Sequence, residues 1–294
     1  MVYTSSQKMR DIRQSENYAK YLETQGWIVE RIDNINYFIR KLPPPAGGLG
    51  SILKIQRPKS IDFKTIRKLE KKYKVFQTII EPINQNDVIC CMQYGYKLNK
   101  SPYLPSKTLN LNLAKPLKFN KETRRCIKIG EIQKIKAYSS PKQLEIFHNA
   151  WKKSVNFNRY VPSLNSLLNL RKSFPNNHSI FLASHNKISN IIGGALFTRS
   201  LHDYGYYWYG FTNKEGRTSL SQYSLLYSGI LWAKRMGCKV FDFEGIYDPR
   251  FPNKSWLGFT HFKKSFGGKE ILYPGCFVKF RLPLIFAKHF KLAA

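Results

Sequence analysis

Ser219-Leu-Ser-Gln-Tyr-Ser-Leu-Leu-Tyr-Ser-Gly-Ile-Leu-Trp-Ala-Lys-Arg-Met-Gly237, followed after Cys238 by Lys239-Val-Phe-Asp-Phe243, is the stretch that sets the architecture. Leu225, Leu226, Gly229, Ile230 and Ala233 recur at three- and four-residue spacing, so they share one face of a long helix. Ser219 with Gln222 reads as a capping box at its start, and Gly237 suits a C-terminal stop. The apolar run 239–243 then reads as a strand. Upstream, Ser179–Ser184 and Ile188–Thr198 flank His185-Asn-Lys as a hairpin, and Tyr204-Gly-Tyr-Tyr-Trp-Tyr-Gly-Phe211 is a further strand. The second half of the chain therefore runs strand, strand, long helix, strand.

The first half shows a looser version of this order. Residues 16–27 read as a helix, with short strands at 28–31, 37–41 and 52–55. Pro43-Pro-Pro-Ala-Gly-Gly-Leu-Gly50 is a loop by composition. A helix over 61–73 leads into a strand over 74–81, stopped by Pro82. A second unit opens where Leu109, Leu111 and Leu113 alternate with Asn. Residues 120–130 read as a basic helix, Ser140 caps another, and 163–174 form a third. The Cys90-Cys91 pair reads most simply as strand core.

The chain has 294 residues, 43% of them hydrophobic and 15% aromatic, enough for one large domain or two modest ones with real cores. Its 49 Lys and Arg face only 18 Asp and Glu, a formal charge of +31. Abundant Lys, Asn and Ile accompany AT-rich coding, but that does not account for the shortage of acids. Such a charge points to a polyanionic partner: nucleic acid, anionic lipid or a phosphorylated substrate. The five cysteines have no metal-ligand spacing and read as reduced thiols of a cytoplasm-like compartment. The six histidines are scattered, so no metal is expected. Met1-Val-Tyr-Thr-Ser-Ser-Gln-Lys has no apolar signal segment, and no run approaches the ~18 apolar residues of a membrane span.

Near the C-terminus stands Gly258-Phe-Thr-His-Phe-Lys-Lys-Ser-Phe-Gly-Gly268, then Tyr273-Pro-Gly275. It places a lysine pair between aromatics, ahead of a Gly-Gly turn that permits close backbone approach to a ligand. With Phe241-Asp-Phe-Glu-Gly-Ile246, Ile192-Gly-Gly-Ala-Leu196, Tyr206–Phe211, Lys107-Thr-Leu-Asn-Leu-Asn-Leu113 and the basic run Lys121–Gly130, it resembles the Fem family in motif order, over about residues 16–275. The Fem family comprises peptidoglycan-bridge ligases that move an amino acid from aminoacyl-tRNA onto a cell-wall peptide.

The resemblance implies an α/β (α+β) protein of two acyltransferase domains like those of the Gcn5-related N-acyltransferases (GNAT), with mixed sheets flanked by helices. It divides the chain into 1–108, completed by the tail 277–294, and 109–276, which carries the signature motifs. It implies aminoacyl-tRNA as co-substrate and no further cofactor. The acceptor would be a UDP-linked or lipid-linked muropeptide. The expected location is cytoplasmic. The helical-hairpin arm often found in that family has no counterpart here. The sequence leaves the oligomeric state open.

Attack of an amine on an aminoacyl ester needs a neutral amine, stabilisation of a developing oxyanion and placement of both partners. Lys263, beside Phe262 and Phe266, is the first candidate, and the resemblance puts it at the aminoacyl-tRNA end; an exposed surface lysine is the other reading. Asp242 and Glu244 fall on one strand face by alternation. Either orients the amine or acts as a base, or one caps the Gly245 turn or pairs with Arg250. Lys41, Lys54, Arg57 and Arg159 are candidate clamps for an acceptor pyrophosphate, or solvated surface charges. Tyr207 and Tyr209 line a groove or the core. Gly267 and Gly268 form the close-approach turn. The tail from Phe277, apolar and basic, either packs back on the first domain or makes peripheral contact with an anionic membrane.

Two other function classes remain: an N-acyltransferase using acyl-CoA or acyl carrier protein, and a non-catalytic RNA- or lipid-binding protein. A CoA user of this fold carries a glycine-rich loop before the long helix, whereas Asn213-Lys-Glu-Gly-Arg-Thr-Ser-Leu220 has one glycine.

Overall fold

The computed structural model describes residues 11–43, 50–155, 159–200 and 203–281. In chain order the regular elements are α1 (Glu16–Thr24), β1 (Ile28–Ile32), β2 (Ile35–Lys41), β3 (Ser51–Gln56), α2 (Phe63–Lys72), β4 (Val75–Glu81), α3 (Gln85–Gln93) and β5 (Lys97–Leu98). Then come β6 (Lys107–Asn112), α4 (Lys121–Gly130), β7 (Lys134–Tyr138), α5 (Pro141–Ser154), α6 (Leu164–Ser173), β8 (Ser179–His185), β9 (Ile191–Arg199) and β10 (Tyr204–Thr212). The last are α7 (Lys214–Thr218), α8 (Ser221–Arg235), β11 (Val240–Gly245), α9 (Leu257–Ser265), β12 (Lys269–Leu272) and β13 (Phe277–Phe280).

These residues divide into two compact units. One runs up to Ser106 and takes the chain up again from Leu272; the other is Lys107–Ile271. The first unit thus resumes five residues ahead of the tail expected to return to it. That tail enters the first sheet as β13, between β4 and β5. Residues 282–294 lie outside the described set, as does the loop 44–49. No described helix is long and apolar enough to cross a membrane.

Both units use one plan. In the first, β1, β2 and β3 form an antiparallel meander, and α2 carries the chain over to β4, parallel to β3. In the second, β8, β9 and β10 form the meander, and α8 carries the chain to β11, parallel to β10. Each parallel pair is flanked by an antiparallel strand from a distant part of the chain, β13 beside β4 and β6 beside β11. The result is two mixed sheets flanked by helices.

Local sequence accounts for most elements. In α2, Phe63, Ile66 and Leu69 face inward, and the Asp62 carboxylate accepts from the Lys64 amide at the helix start. Ser140 and Gln143 complete a capping box at α5, with Pro141 in the first turn. Two expectations fail. Cys90 and Cys91 lie in α3, whose start is capped by Asn84, so the pair is split between solvent and core. Ser219 does not cap α8. The short α7 uses up the preceding loop, Ser219 ends it, and the chain enters α8 through Leu220 at φ +56° with no side-chain cap.

The second unit's core gathers Phe197, Phe241, Phe243, Phe266, Leu226 and Ile230, each under 2% exposed. Burial of such side chains contributes about 1.5–3 kcal/mol apiece. The first unit's core is mainly aliphatic, built on Ile39, Leu53, Ile55, Ile66 and Ile80, with Tyr37, Phe63, Tyr96 and Phe277 packed among them.

Candidate active site

β10 and β11 are paired only from Tyr204↔Val240 to Tyr206↔Asp242. β10 runs on to Thr212 against β9, so the two parallel strands part beyond Tyr206. A cleft of about 650 Å³ lies where they part, within the second unit. β10 lines it from Tyr207 to Thr212, apart from Trp208. α5 contributes Trp151, α8 contributes Gln222 and Leu225, and α9 contributes Gly258, Phe259 and Phe262.

A bulge shapes its walls. Tyr207 pairs with Phe197 and Tyr209 with Leu196, which leaves Trp208 as an extra residue. Strict alternation would put Tyr207 and Tyr209 on one face. The bulge instead sends Tyr207 to the α8 side, stacked on Phe197 at 5.5 Å, and Tyr209 to the α5 side, 5.4 Å from Trp151. The Tyr207 hydroxyl lies over Gly210, where a Cβ would stand 1.9 Å from it, so any side chain there would displace the Tyr207 ring. Burial pushes the Tyr207 phenol up to about 12, so at neutral pH it is an O–H donor at the cleft wall.

At the end of β11 the regular ladder also fails. Its pairing with β6 shifts between Asp242 and Gly245, and Glu244 adopts φ +61°. Asp242, 2% exposed, holds this bulge together. Its Oδ1 accepts from the Thr108 hydroxyl and from the Glu244 amide, the latter at 2.7 Å. The alternation expected to put Asp242 and Glu244 on one face therefore stops at Asp242, whose carboxylate is engaged by the protein. Replacing Asp242 with Asn, which keeps an acceptor oxygen, is expected to retain most activity. Asp242→Ala, which strands the Glu244 amide while the Thr108 hydroxyl keeps the Glu244 carbonyl as acceptor, is expected to lose about 1–3 kcal/mol of stability together with activity. Equal activity loss in the two variants at unchanged stability would instead make Asp242 a base.

Lys263 sits on α9 against this bulge and is buried rather than on the surface, with 8% exposure. Its Nζ donates to the Gly245 carbonyl at 2.7 Å. Burial lowers its pKa to about 8, opposed by the nearby carboxylates of Glu244 and Asp242. The rings beside it are not the expected ones. Phe262 and Phe266, four apart, pack on each other at 5.7 Å and on Tyr223. Lys263 shares its face with Phe259, one turn earlier: Nζ lies 5.0 Å from the Phe259 ring centre and 5.6 Å from that of Tyr207. Both rings line the cleft and Lys263 does not, so its charge sits one layer behind the wall.

The remaining candidates separate. Phe262 and Arg159 line the cleft, Arg159 from a loop whose residues 156–158 lie outside the described set. Lys264 pairs with Glu270 at 2.6 Å. Gly267 and Gly268 adopt φ +77° and +111°, and a Cβ on Gly268 would lie 2.9 Å from the Asn110 carbonyl. The close approach at Gly268 is to β6, whereas a Cβ on Gly267 would meet nothing within 4 Å.

In the first unit, Arg57 is no clamp. It is 3% exposed, pairs with Asp11 at 2.8 Å, donates to the Pro105 carbonyl and stacks 3.7 Å over Tyr273. Lys54 lies between Trp27 and Tyr103, at 4.9 and 4.7 Å from the ring centres, with its pKa lowered chiefly by burial. Lys41 is exposed at the end of β2. Lys41 and Lys54 are thus in a different unit from Lys263, and they do not belong to the cleft.

Trp151, Thr212, Arg217 and Gln222 line the cleft without having been singled out as site residues in the sequence. Arg217, on α7, donates to the Thr212 carbonyl at 3.0 Å. Gln222, read as a capping residue, instead has a buried Oε1 with no hydrogen-bond partner. Only recognition of α7 ahead of α8 would have exposed these two.

No protein-family model matches the sequence, and no curated protein matches it. Solved structures do. FemX superposes with a TM-score of 0.76 at 15% identity, over 96% of this chain and 94% of its own. The C-terminal domain of a putative lysylphosphatidylglycerol synthetase from Agrobacterium fabrum gives 0.61 at 10% identity, over 95% and 92%. A tandem GNAT protein from the clavulanic acid biosynthesis pathway gives 0.52 at 6% identity, over 84% and 82%. The chain has the Fem-like, twin-GNAT fold that these proteins share.

Proposed function

We propose that the protein is an aminoacyltransferase that takes an amino acid from aminoacyl-tRNA and joins it to an amine on the peptide of a peptidoglycan precursor, UDP-linked or lipid-linked. The observation that carries this reading is the cleft at the parting of β10 and β11, with the buried Lys263 ammonium behind its wall. The likeness in fold to FemX and to a lysylphosphatidylglycerol synthetase domain supports the class of donor.

The acceptor nitrogen attacks the ester carbonyl carbon, a C–N bond forms, and the bond from that carbon to the ribose oxygen breaks. The proton lost by the amine ends on the departing ribose oxygen. Negative charge develops on the carbonyl oxygen, and the Tyr207 hydroxyl is the donor at the cleft wall suited to it. Lys263 acts through space from behind Tyr207 and Phe259, in surroundings where a charge is felt more strongly than in water. Arg159 and Arg217, at the same cleft, are placed for the terminal phosphate of the RNA.

A CoA donor is disfavoured by α7. Four amides of the turn ahead of α8, where a CoA user keeps its pyrophosphate loop, are already used. Gly216 N donates to the Asn213 side chain, and the Arg217, Ser219 and Leu220 amides donate to carbonyls within the same turn.

The test supplies purified protein with labelled aminoacyl-tRNAs and a lysine-containing UDP-muropeptide, with acetyl-CoA in parallel reactions. Label on the peptide from tRNA supports the reading. Label from acetyl-CoA alone refutes it, as does no transfer to either UDP-linked or lipid-linked acceptor.

The lowered pKa of Lys263 gives this reading a pH signature. The folded protein releases this proton near pH 8 and the unfolded chain near 10.5. Between these values the unfolded state binds more protons. The lysine therefore works against folding below pH 8, and that penalty disappears as pH rises to about 10.5. Its charge, and any catalytic benefit from it, fades above pH 8. The ratio of the wild-type rate to that of Lys263→Met is expected to fall as pH rises through about 8, with the acceptor's own titration cancelling. A ratio flat from pH 6.5 to 9.5 would remove the charge from the mechanism.

A further inference from the structure

We propose that the groove between α4 and α8 is the track on which the single-stranded 3′ segment of the donor RNA lies. This rests on the donor proposed above. The groove, of about 620 Å³, is lined by Lys118, Arg124 and Lys128, with Phe119 and Tyr227 between them and Glu131 as the one acid among its lining residues. Arg124 and Lys128 are four residues apart on α4 and flank Ile127, so they share the face turned to the groove. Among the described residues none of the three cations makes an ion pair, whereas neighbouring Arg125 is held by Glu122 at 2.7 Å. Phe119 and Tyr227 meet edge to face at 5.8 Å.

Unpaired cations beside aromatic rings in a concavity match a single-stranded nucleic acid, whose phosphates take the charges and whose bases take the rings. A flat anionic bilayer presents no bases and does not enter a concave groove. The formal charge of +31 supplies the long-range attraction.

The groove also leads to the cleft. At the C-terminal end of α4, Gly130 is so close to the α7–α8 junction that a Cβ would lie 2.7 Å from the Leu220 carbonyl. That junction lies between Arg217 and Gln222, both of which line the cleft. The ten residues of α4 span about 15 Å, the axial rise of about four nucleotides at roughly 3.4 Å each. An RNA end laid along α4 therefore delivers its aminoacyl group at the cleft mouth.

The experiment measures binding of uncharged tRNA, and of the same tRNA trimmed of its last four nucleotides, across a salt series. It compares wild type with Lys118→Ala/Arg124→Ala/Lys128→Ala. A control, Lys64→Ala/Lys68→Ala/Lys71→Ala, removes equal charge from α2. The groove variant is expected to bind intact tRNA at least ten-fold more weakly. Its log-affinity slope against log salt should be shallower by about two, at about 0.7 per phosphate released on a single strand. Trimmed tRNA should bind weakly and not distinguish the variant from wild type.

Equal affinity of wild type and groove variant for intact tRNA would overturn the proposal, as would an equal loss in the control. So would wild type that binds vesicles of phosphatidylglycerol but no RNA. The two readings fail separately. Binding through the groove without transfer to any peptide would sink the ligase and keep the track; transfer with an unchanged KM for aminoacyl-tRNA in the groove variant would do the reverse.

Discussion

Lys263→Met is expected to lower kcat for aminoacyl transfer on the order of 50-fold while leaving tRNA affinity within about two-fold. The size follows from position. A charge roughly 7 Å from the reacting carbonyl, at an effective dielectric of about 20, acts with roughly 2.4 kcal/mol, or about 50-fold in rate. An ammonium in direct contact with the oxyanion would be expected to reach about 10²–10³-fold. The Nζ lies behind Tyr207 and Phe259, which favours the smaller figure. Methionine also leaves the Gly245 carbonyl without its donor, so unfolding is followed in parallel. Lys263→Arg, which retains a charge, should recover part of the rate. A methionine variant with unchanged kcat would sink the electrostatic role, and one with lost tRNA affinity would move Lys263 to donor binding.

The second large effect is on stability. Phe266→Ala is expected to remove about 3–5 kcal/mol from the unit that contains it, read as a lower urea midpoint at constant slope. The ring is fully buried at the end of α9 and touches Phe119, Tyr223, Phe243 and Phe262 with centres 5.6 to 6.1 Å away. It fixes the helix that carries Lys263, so activity should fall with stability. A loss below about 1 kcal/mol would mean that this aromatic cluster does not hold α9 in place.

Much of this was legible in the sequence because it depends on local periodicity. The apolar face of α8, the Ser140 cap of α5, the hairpin of β8 and β9 and the alternation in β6 are each written in a few neighbouring residues. The order strand, strand, long helix, strand and the +31 charge likewise come from the chain itself. So does the choice of Lys263 as the lysine of the motif, since the resemblance rests on residue identity and spacing.

The geometry of the site was decided by tertiary structure, because it is made where regular periodicity breaks. The bulge at Trp208 puts Tyr207 and Tyr209 on opposite sides of the sheet. The turn at Glu244 ties Asp242 to Thr108, 134 positions earlier in the chain. Helical spacing gives Lys263 the neighbour Phe259 in place of Phe262. Arg57, a surface cation by sequence, is buried by Asp11 and Tyr273, which are far from it along the chain. Local sequence sets which way each backbone segment runs. Which side chains end up buried, paired or facing the cleft depends on long-range contacts that no short window contains.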